Sequence, residues 1–299
     1  METILITGAS GFVGTHLSRH FLSRGFAVIG LGTSPHHPLE FEHEHFTWFK
    51  ADTSNPGPWQ EIVQGVDTVI NLAGRSIFQY WTKAYKDAIY QSRVATTRNL
   101  VAAMAEGGVL VSTSAVGFYG DCGEQELTEV DPAGSDFLAR VCLDWESEAL
   151  VAQDKGIRVC IMRLGVVLGQ GGALLVMAPA FKLFLGGPLG NGKHYFPWIH
   201  LHDLRRGVEF FLDNPETSGA YNFTGPELIR QKTFAREMGR ALGRPAFLPA
   251  PGFVVKTAMG ELGASLLQSQ KARPEKLTEE KFEFLYPTVG KALGQIYSS

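Results

Sequence analysis

The chain has 299 residues, 44% of them apolar, with 27 lysines and arginines against 30 aspartates and glutamates. That length holds one large α/β unit plus a smaller attached lobe and buries a full core. The near-balanced charge leaves no basic footprint for nucleic acid and no tail of one sign. Three widely spaced cysteines, Cys122, Cys142 and Cys160, make neither a disulfide framework nor a Cys-x-x-Cys metal site, which points to a reducing compartment. The sequence passes directly into a first strand with no apolar leader, and its most apolar later stretch, 253–267, is interrupted by Lys256 and Glu261. A cytoplasmic protein without a membrane span is expected.

The apolar run Ile4, Leu5, Ile6 leads into Gly8-x-x-Gly11-x-x-Gly14 and then into an amphipathic segment carrying Leu17, Phe21 and Leu22, stopped by Gly25. Strand, tight turn and helix in that order are what a dinucleotide site needs. The first glycine lets the chain turn, the second lets the backbone approach a pyrophosphate, and the third lets the helix lie close on the strand. Ser10, Phe12 and Val13 belong to the same turn, whose N–H groups at the positive end of the helix would hold the phosphates.

A second strand is expected at 27–31, and its end is where a dinucleotide protein chooses its cofactor. A carboxylate there would bind the ribose hydroxyls of NAD and repel the extra phosphate of NADP. Gly32, Thr33 and Ser34 stand there instead, with His36 and His37 just beyond. The hydroxyls of Thr33 and Ser34 favour NADP(H) over NAD(H), against the alternative of a plain polar loop. His36, His37, His43 and His45 are four of the nine histidines, but their spacing fits no common ligand pattern, and no metal is expected. Asp52 follows a strand at 47–50, placed either to reach the adenine edge or to cap a turn before Asn55-Pro56-Gly57-Pro58.

The next strand, 68–71, ends in Asn71-Leu72-Ala73-Gly74. With the glycine turn and an acidic residue near 50, this strand end resembles the extended short-chain dehydrogenase/reductase superfamily, in its NAD(P)-dependent epimerase/dehydratase group. The resemblance implies that Asn71, Leu72, Ala73 and Gly74 lie against the ribose and pyrophosphate of the cofactor. In a helix at 84–104, Ser92-Arg93 is similar to an "epimerase family protein" branch, and Arg93 could bind a cofactor phosphate or ribose or form a surface salt bridge. Strand 109–111 runs into Ser112-Thr113-Ser114 and on to Phe118-Tyr119-Gly120, similar to the family's catalytic-serine strand end and Tyr-Gly turn. Ser114 and Tyr119 are therefore the catalytic candidates, and Ser112 is grouped with the cofactor residues. Strand 158–162 leads into Arg163, a further cofactor candidate, and then to the glycines after which family members cross to the substrate lobe.

The later chain resembles the same branch more loosely. The glycine-rich loop 188–197 with Tyr195, Phe196 and Trp198 suits a ligand cover better than core. Asp203 is expected to cap the following helix, His200 and His202 to be structural at a strand end, against the alternative of titrating in a site, and helices to form at 231–242 and 253–268.

One departure from the family concerns the chemistry itself. Short-chain dehydrogenases use Tyr-x-x-x-Lys, the lysine lowering the tyrosine pKa so that it trades a proton with the substrate oxygen as hydride moves. Here Phe137 or Leu138 stands where tyrosine should be and Val141 or Cys142 where lysine should be, and no tyrosine in the chain has a lysine four residues later. Ala115, Val116 and Gly117 likewise replace the acidic pair of the family's dehydratases.

The expected architecture is α/β, a doubly wound parallel sheet of Rossmann type over 1–170, rejoined by 198–225, with a smaller substrate lobe from 171–197 and 226–299. The expected function is an NADP(H)-binding oxidoreductase or nucleotide-sugar-epimerase-like enzyme acting on a small molecule by hydride transfer. The rival is a non-catalytic NADP(H)-binding sensor or scaffold, which the missing pair supports.

Overall fold

In the computed structural model, which describes residues 2–37, 39 and 42–298, the alternating strands and helices wind into one seven-stranded sheet with a lobe at its side. The strands are β1 (Thr3–Thr7), β2 (Ala27–Gly32), β3 (Phe46–Lys50), β4 (Thr68–Asn71), β5 (Val109–Ala115), β6 (Glu126–Leu127), β7 (Arg158–Leu164), β8 (Val166–Leu168), β9 (Trp198–His200), β10 (Gly219–Phe223) and β11 (Lys271–Ala272). The main sheet is parallel throughout, in the order β10-β7-β5-β4-β1-β2-β3. The chain thus builds outward from β1 in both directions, and the crevice between the C-terminal ends of β1 and β4 is the switch point where such sheets take ligands.

Both faces of the sheet are covered, which is why its strands are continuous apolar runs rather than alternating ones. On one face Ile4, Ile6, Ile70, Val111 and Met162 pack with Leu17 and Phe21 of α1 (Phe12–Ser23) and with Leu204, Val208 and Phe211 of α6 (Leu201–Asp213). On the other, Leu5, Val69, Leu110 and Ile161 pack with α2 (Trp59–Gln64), α3 (Lys83–Ala103) and α4 (Phe137–Leu150). The lobe has its own core, where Leu174 and Phe181 of α5 (Gly172–Lys182) and Phe234 and Met238 of α7 (Gln231–Ala241) meet Leu293 and Ile296 of α11 (Val289–Tyr297). No helix among the described residues is long and apolar enough to cross a membrane.

Four expectations are corrected. The helix expected at 253–268 is two, α8 (Gly252–Met259) and α9 (Glu261–Ser265), broken at Gly260, whose φ of +60° favours glycine and where a Cβ would stand 3.2 Å from the Tyr80 ring. The segment expected in the lobe divides, since Leu277 of α10 (Glu275–Glu279) and Phe282 join the core of the sheet. Trp198 and Phe196 are not a ligand cover: Trp198 is 1% exposed in the lobe core, Phe196 stacks on Phe234 at 4.2 Å, and the gap they line holds only about 10 Å³, roughly one water. Asp203 is not the cap of α6, because His200 takes that place by accepting the His202 N–H through its ring. Asp203, 1% exposed, accepts instead from the N–H groups of Leu285 and Tyr286 at 2.7 and 2.9 Å, fastening the C-terminal segment to α6.

Asp203→Ala leaves two backbone N–H groups without their acceptor and is expected to cost roughly 2–6 kcal/mol of unfolding free energy, from about 1–3 kcal/mol per unsatisfied group. Asp203→Asn, which keeps one acceptor oxygen, should lose less. Urea titration of both variants checks the order, and equal stability of Asp203→Ala and wild type would rule out the fastening.

A second prediction comes from the seam between α1 and α6. His16 and His202 stack at 5.3 Å between ring centroids, and His200 meets His202 edge-on at 4.9 Å. Burial, and then the neighbouring His202 with Arg205 and His20, hold the His16 pKa down at about 4, and burial followed by His202 does the same at His200. Asp203 and the His20–Glu209 pair are the facing acidic groups. Both pKa values lie below the unfolded value near 6.5, so the unfolded chain takes up protons first and stability falls as pH drops from about 6.5 towards 4. His16→Gln should flatten the decline of Tm between pH 7 and pH 5; an unchanged slope would show that His16 carries none of it.

Candidate functional site

The chain leaves β1 at Gly8, whose φ is +65°, and turns back on itself so that the Gly11 N–H donates to the Gly8 carbonyl at 2.9 Å. Gly8 also touches the end of β4, since a Cβ there would stand 2.8 Å from the Leu72 carbonyl oxygen. A Cβ on Gly14 would collide with the Gly8 carbonyl and lie 2.6 Å from the Ala9 Cα, which is the close helix-on-strand packing expected of the third glycine. Gly11 is the N-cap of α1 with no side chain capping it and no acid in the first turn. The positive end of a twelve-residue helix therefore opens at the crevice with neither a capping side chain nor an acid in its own first turn.

The neighbours of the turn have different tasks. Ser10 Oγ accepts from Ser34 Oγ at 3.2 Å, joining the turn to the end of β2, with Thr33 exposed beside it. Val13 packs on the sheet core. Phe12 turns away onto the start of the lobe, where Cβ atoms on Gly169 or Gly172 would meet its ring at 2.7 and 2.8 Å. His37 does not face a phosphate. It is 3% exposed, lies 2.9 Å from the Ala9 carbonyl and packs on Phe46 and Trp48, so it braces the turn from beneath. Of the histidine-rich loop, His36, His37, His43 and His45 are described, and no group of three metal-ligating side chains occurs among the described residues.

Several cofactor candidates are committed elsewhere. Asp52, exposed after β3, accepts from the backbone and side chain of Ser54 and from Asn55, so its carboxylate caps the turn. Asn71 is fully buried: its Oδ1 accepts from Thr7 at 2.7 Å and its Nδ2 donates to Thr97 at 2.8 Å, which makes it a strut between β1, β4 and α3. Leu72 and Ala73 follow as the wall of the crevice, the Ala73 N–H held by Thr7 Oγ1. Ser112, 1% exposed and on the same sheet face as Asn71, has no partner for its hydroxyl among the described residues.

The end of β5 carries a buried polar chain that the sequence reading did not foresee. Ser114 donates to Glu146 Oε1 at 2.6 Å, and Arg163 grips both oxygens of Glu146 at 2.9 and 2.8 Å. Arg163 Nη1 donates to Tyr119 Oη at 2.9 Å, and that hydroxyl lies 2.7 Å from Asn222 Oδ1. Arg163 is therefore bound to protein groups and not to a phosphate, a correction that follows from its register: Ser114, Arg163 and Asn222 are adjacent across β5, β7 and β10, under the Glu146 turn of α4. Tyr119 is corrected too. It is 2% exposed, and burial pushes its pKa up to about 12 although Arg163 pulls the other way, so a tyrosinate does not form near neutrality.

The alternative over the missing pair is also decided. Phe137 faces Trp81 at 5.4 Å and lies under Lys86, away from β5. Leu138 lies beside Gly117, and Cys142 lies against Ser114, its thiol pushed up to about 11 by burial first. Leu138 and Cys142 hold the places of tyrosine and lysine, and neither transfers a proton at neutral pH. Arg93 lies next to Cys142 and Gly74 and over the Trp145 ring at 5.4 Å.

The NAD dependent epimerase/dehydratase family model matches residues 4–223, and a domain of unknown function matches 250–296. The "Epimerase family protein SDR39U1 homolog, chloroplastic" of Arabidopsis thaliana is 38% identical over 98% of this chain and 86% of its own. The crystal structure of human epimerase family protein SDR39U1 with NADPH superposes with a TM-score of 0.87 at 30% identity, over 99% of both chains. UDP-glucuronic acid 4-epimerase from Bacillus cereus, in complex with UDP-glucuronic acid and NAD, shares the fold at a TM-score of 0.79 and 18% identity, over 99% of this chain and 98% of its own. By a family match over the whole sheet and identity along nearly all its length, this chain belongs to the NAD dependent epimerase/dehydratase family.

Proposed function

We propose that the protein binds NADP(H) and uses it for hydride exchange with a small molecule whose oxygen is hydrogen-bonded by a protein hydroxyl as charge develops on it, the balancing proton being exchanged with water rather than with a tyrosine. The observation that carries the cofactor is the open positive end of α1 above Gly8, Gly11 and Gly14, beside a β2 end that offers the hydroxyls of Thr33 and Ser34 and no carboxylate. NADPH in the human relative supports the same choice. Ser114 is our proposed donor to a substrate oxygen, because it lies at the C-terminal end of β5 against Cys142, which holds the vacated lysine position; a rotation of its hydroxyl would free the O–H that now donates to Glu146. Tyr119 is assigned to the scaffold. Three free cysteines suit the reducing interior of a cell. The second reading, a non-catalytic NADP(H)-binding protein, draws on Leu138 and Cys142 standing where the proton-transfer pair should be.

NADPH should raise Tm more than NADH at equal concentration, by linkage to the folded state; equal shifts, or a larger one with NADH, would remove the preference. In single-turnover assays across carbonyl compounds and sugar nucleotides, Ser114→Ala should slow hydride transfer by on the order of 100-fold, as loss of a donor aimed at developing charge does. Tyr119→Phe should lower Tm and leave the rate within a few-fold. The reverse pattern would exchange the two assignments, and no turnover with any compound would favour the non-catalytic reading.

A further inference from the structure

Of the arginines that flank the main sheet, Arg163, Arg158 and Arg93 differ in their partners. Arg163 has the Glu146 carboxylate. Arg158 donates to the carbonyls of Phe211 and Thr217 and to the Thr217 hydroxyl. Arg93 has one carbonyl, that of Ile89 in its own helix at 3.1 Å from Nη1, and no carboxylate among the described residues. Its Nε and Nη2 have no acceptor there. A guanidinium half-buried without an anion is costly unless something arrives to use its donors.

Its position narrows what arrives. α3 runs behind β4, and Arg93 reaches from it to the backbone at Gly74, three residues past the end of β4 at the switch point. A Cβ on Gly74 would stand 3.1 Å from Cζ and 3.2 Å from Nη2, so any side chain there would close over the guanidinium. Its face rests on Trp145 at 5.4 Å, which fixes the plane of the fork. Beside it Cys142 leaves the lysine position without a charge, and burial pushes the Arg93 pKa down with no acid to restore it. The crevice thus has α1's positive end on the β1 side and a planar fork of unused donors on the β4 side.

We propose that Arg93 is an oxyanion clamp on the β4 side of the crevice, its fork engaging a phosphate-type group, either the diphosphate of the dinucleotide or an anionic group of the substrate. The inference rests on the NADP(H) reading for the identity of the crevice, and it replaces the positive charge of the missing lysine from a different helix. Arginine suits this place because two parallel N–H donors match two oxygens of a phosphate, which a lysine ammonium does not.

The test uses wild type, Arg93→Met and Arg93→Lys, each first shown to be folded by Tm without ligand. Three probes are titrated: NADPH, adenosine 2′,5′-bisphosphate, which lacks the diphosphate bridge, and inorganic pyrophosphate. If the clamp holds the cofactor diphosphate, Arg93→Met weakens NADPH at least 10-fold, Arg93→Lys less, and the bisphosphate binds all three alike. If it holds an anion of the substrate, NADPH affinity stays within 2-fold, while pyrophosphate added over saturating NADPH raises the Tm of wild type and not of Arg93→Met. Should wild type fail to bind NADPH, the cofactor reading falls, and pyrophosphate stabilisation of wild type alone still carries the clamp. Equal responses of wild type and Arg93→Met to NADPH and to pyrophosphate overturn it, as does an equal loss of the bisphosphate, which would mark a general collapse of the crevice. If Arg93→Met does not fold, the same comparisons are read from Arg93→Lys, and a fully wild-type response there overturns the fork geometry.

Discussion

The absence of a side chain at Gly14 sets the distance between α1 and the turn below it, and much of the molecule is arranged to keep that distance. The helix start lies on the Gly8 carbonyl and the Ala9 Cα, closer than any Cβ allows. Gly8 lies in turn on the Leu72 carbonyl. Three backbone segments, from β1, α1 and the end of β4, are therefore in mutual contact at the switch point with no side chains between them. Such a contact has no slack, because backbone cannot adopt another rotamer. What surrounds it is bracing: His37 beneath Ala9, Asn71 between Thr7 and Thr97, and the seam of α1 on α6 behind.

The glycine turn, the parallel sheet and the family were legible in the sequence because their signals are local. A strand, three glycines at fixed spacing and an amphipathic helix lie within the first 25 residues, and the missing carboxylate after β2 is read from three neighbours. The same holds for the loss of Tyr-x-x-x-Lys, a pattern contained in one helix turn. Misreadings fell where the partner is distant in the chain. Asn71 meets Thr7 across 64 residues, Tyr119 meets Asn222 across 103, and Asp203 meets Leu285 across 82. A polar residue at a strand end gives the same signal whether it faces a ligand or a partner in the next strand. Only the register of β5, β7 and β10 shows that Ser114, Arg163 and Asn222 line up beneath Glu146. Trp198 was misjudged for a related reason, since the aromatic residues after a glycine-rich loop give no hint that α7 and α11 supply a core for them.

The polar chain from Ser114 to Asn222 shows how the sheet end changes when the usual acid/base pair is absent. A buried arginine, a buried glutamate and a buried tyrosine satisfy one another, and Asn222 hands the connection on to the Arg273 carbonyl and so to the C-terminal segment. In this arrangement the tyrosine hydroxyl is a fixed dipole within a closed set of partners. Ser114 begins the chain at the end of β5, donating to Glu146 with the Cys142 thiol beside it.

Phe12 occupies the first position of α1 and is wrapped by Gly169, Gly171 and Gly172, the residues from which α5 departs. One ring thus belongs to both bodies: its backbone is part of the phosphate turn and its side chain fills the space between the glycines at which the lobe begins. The phosphate turn and the lobe share this one packed contact, so a side chain on any of the three glycines would press on the turn as well as on the lobe.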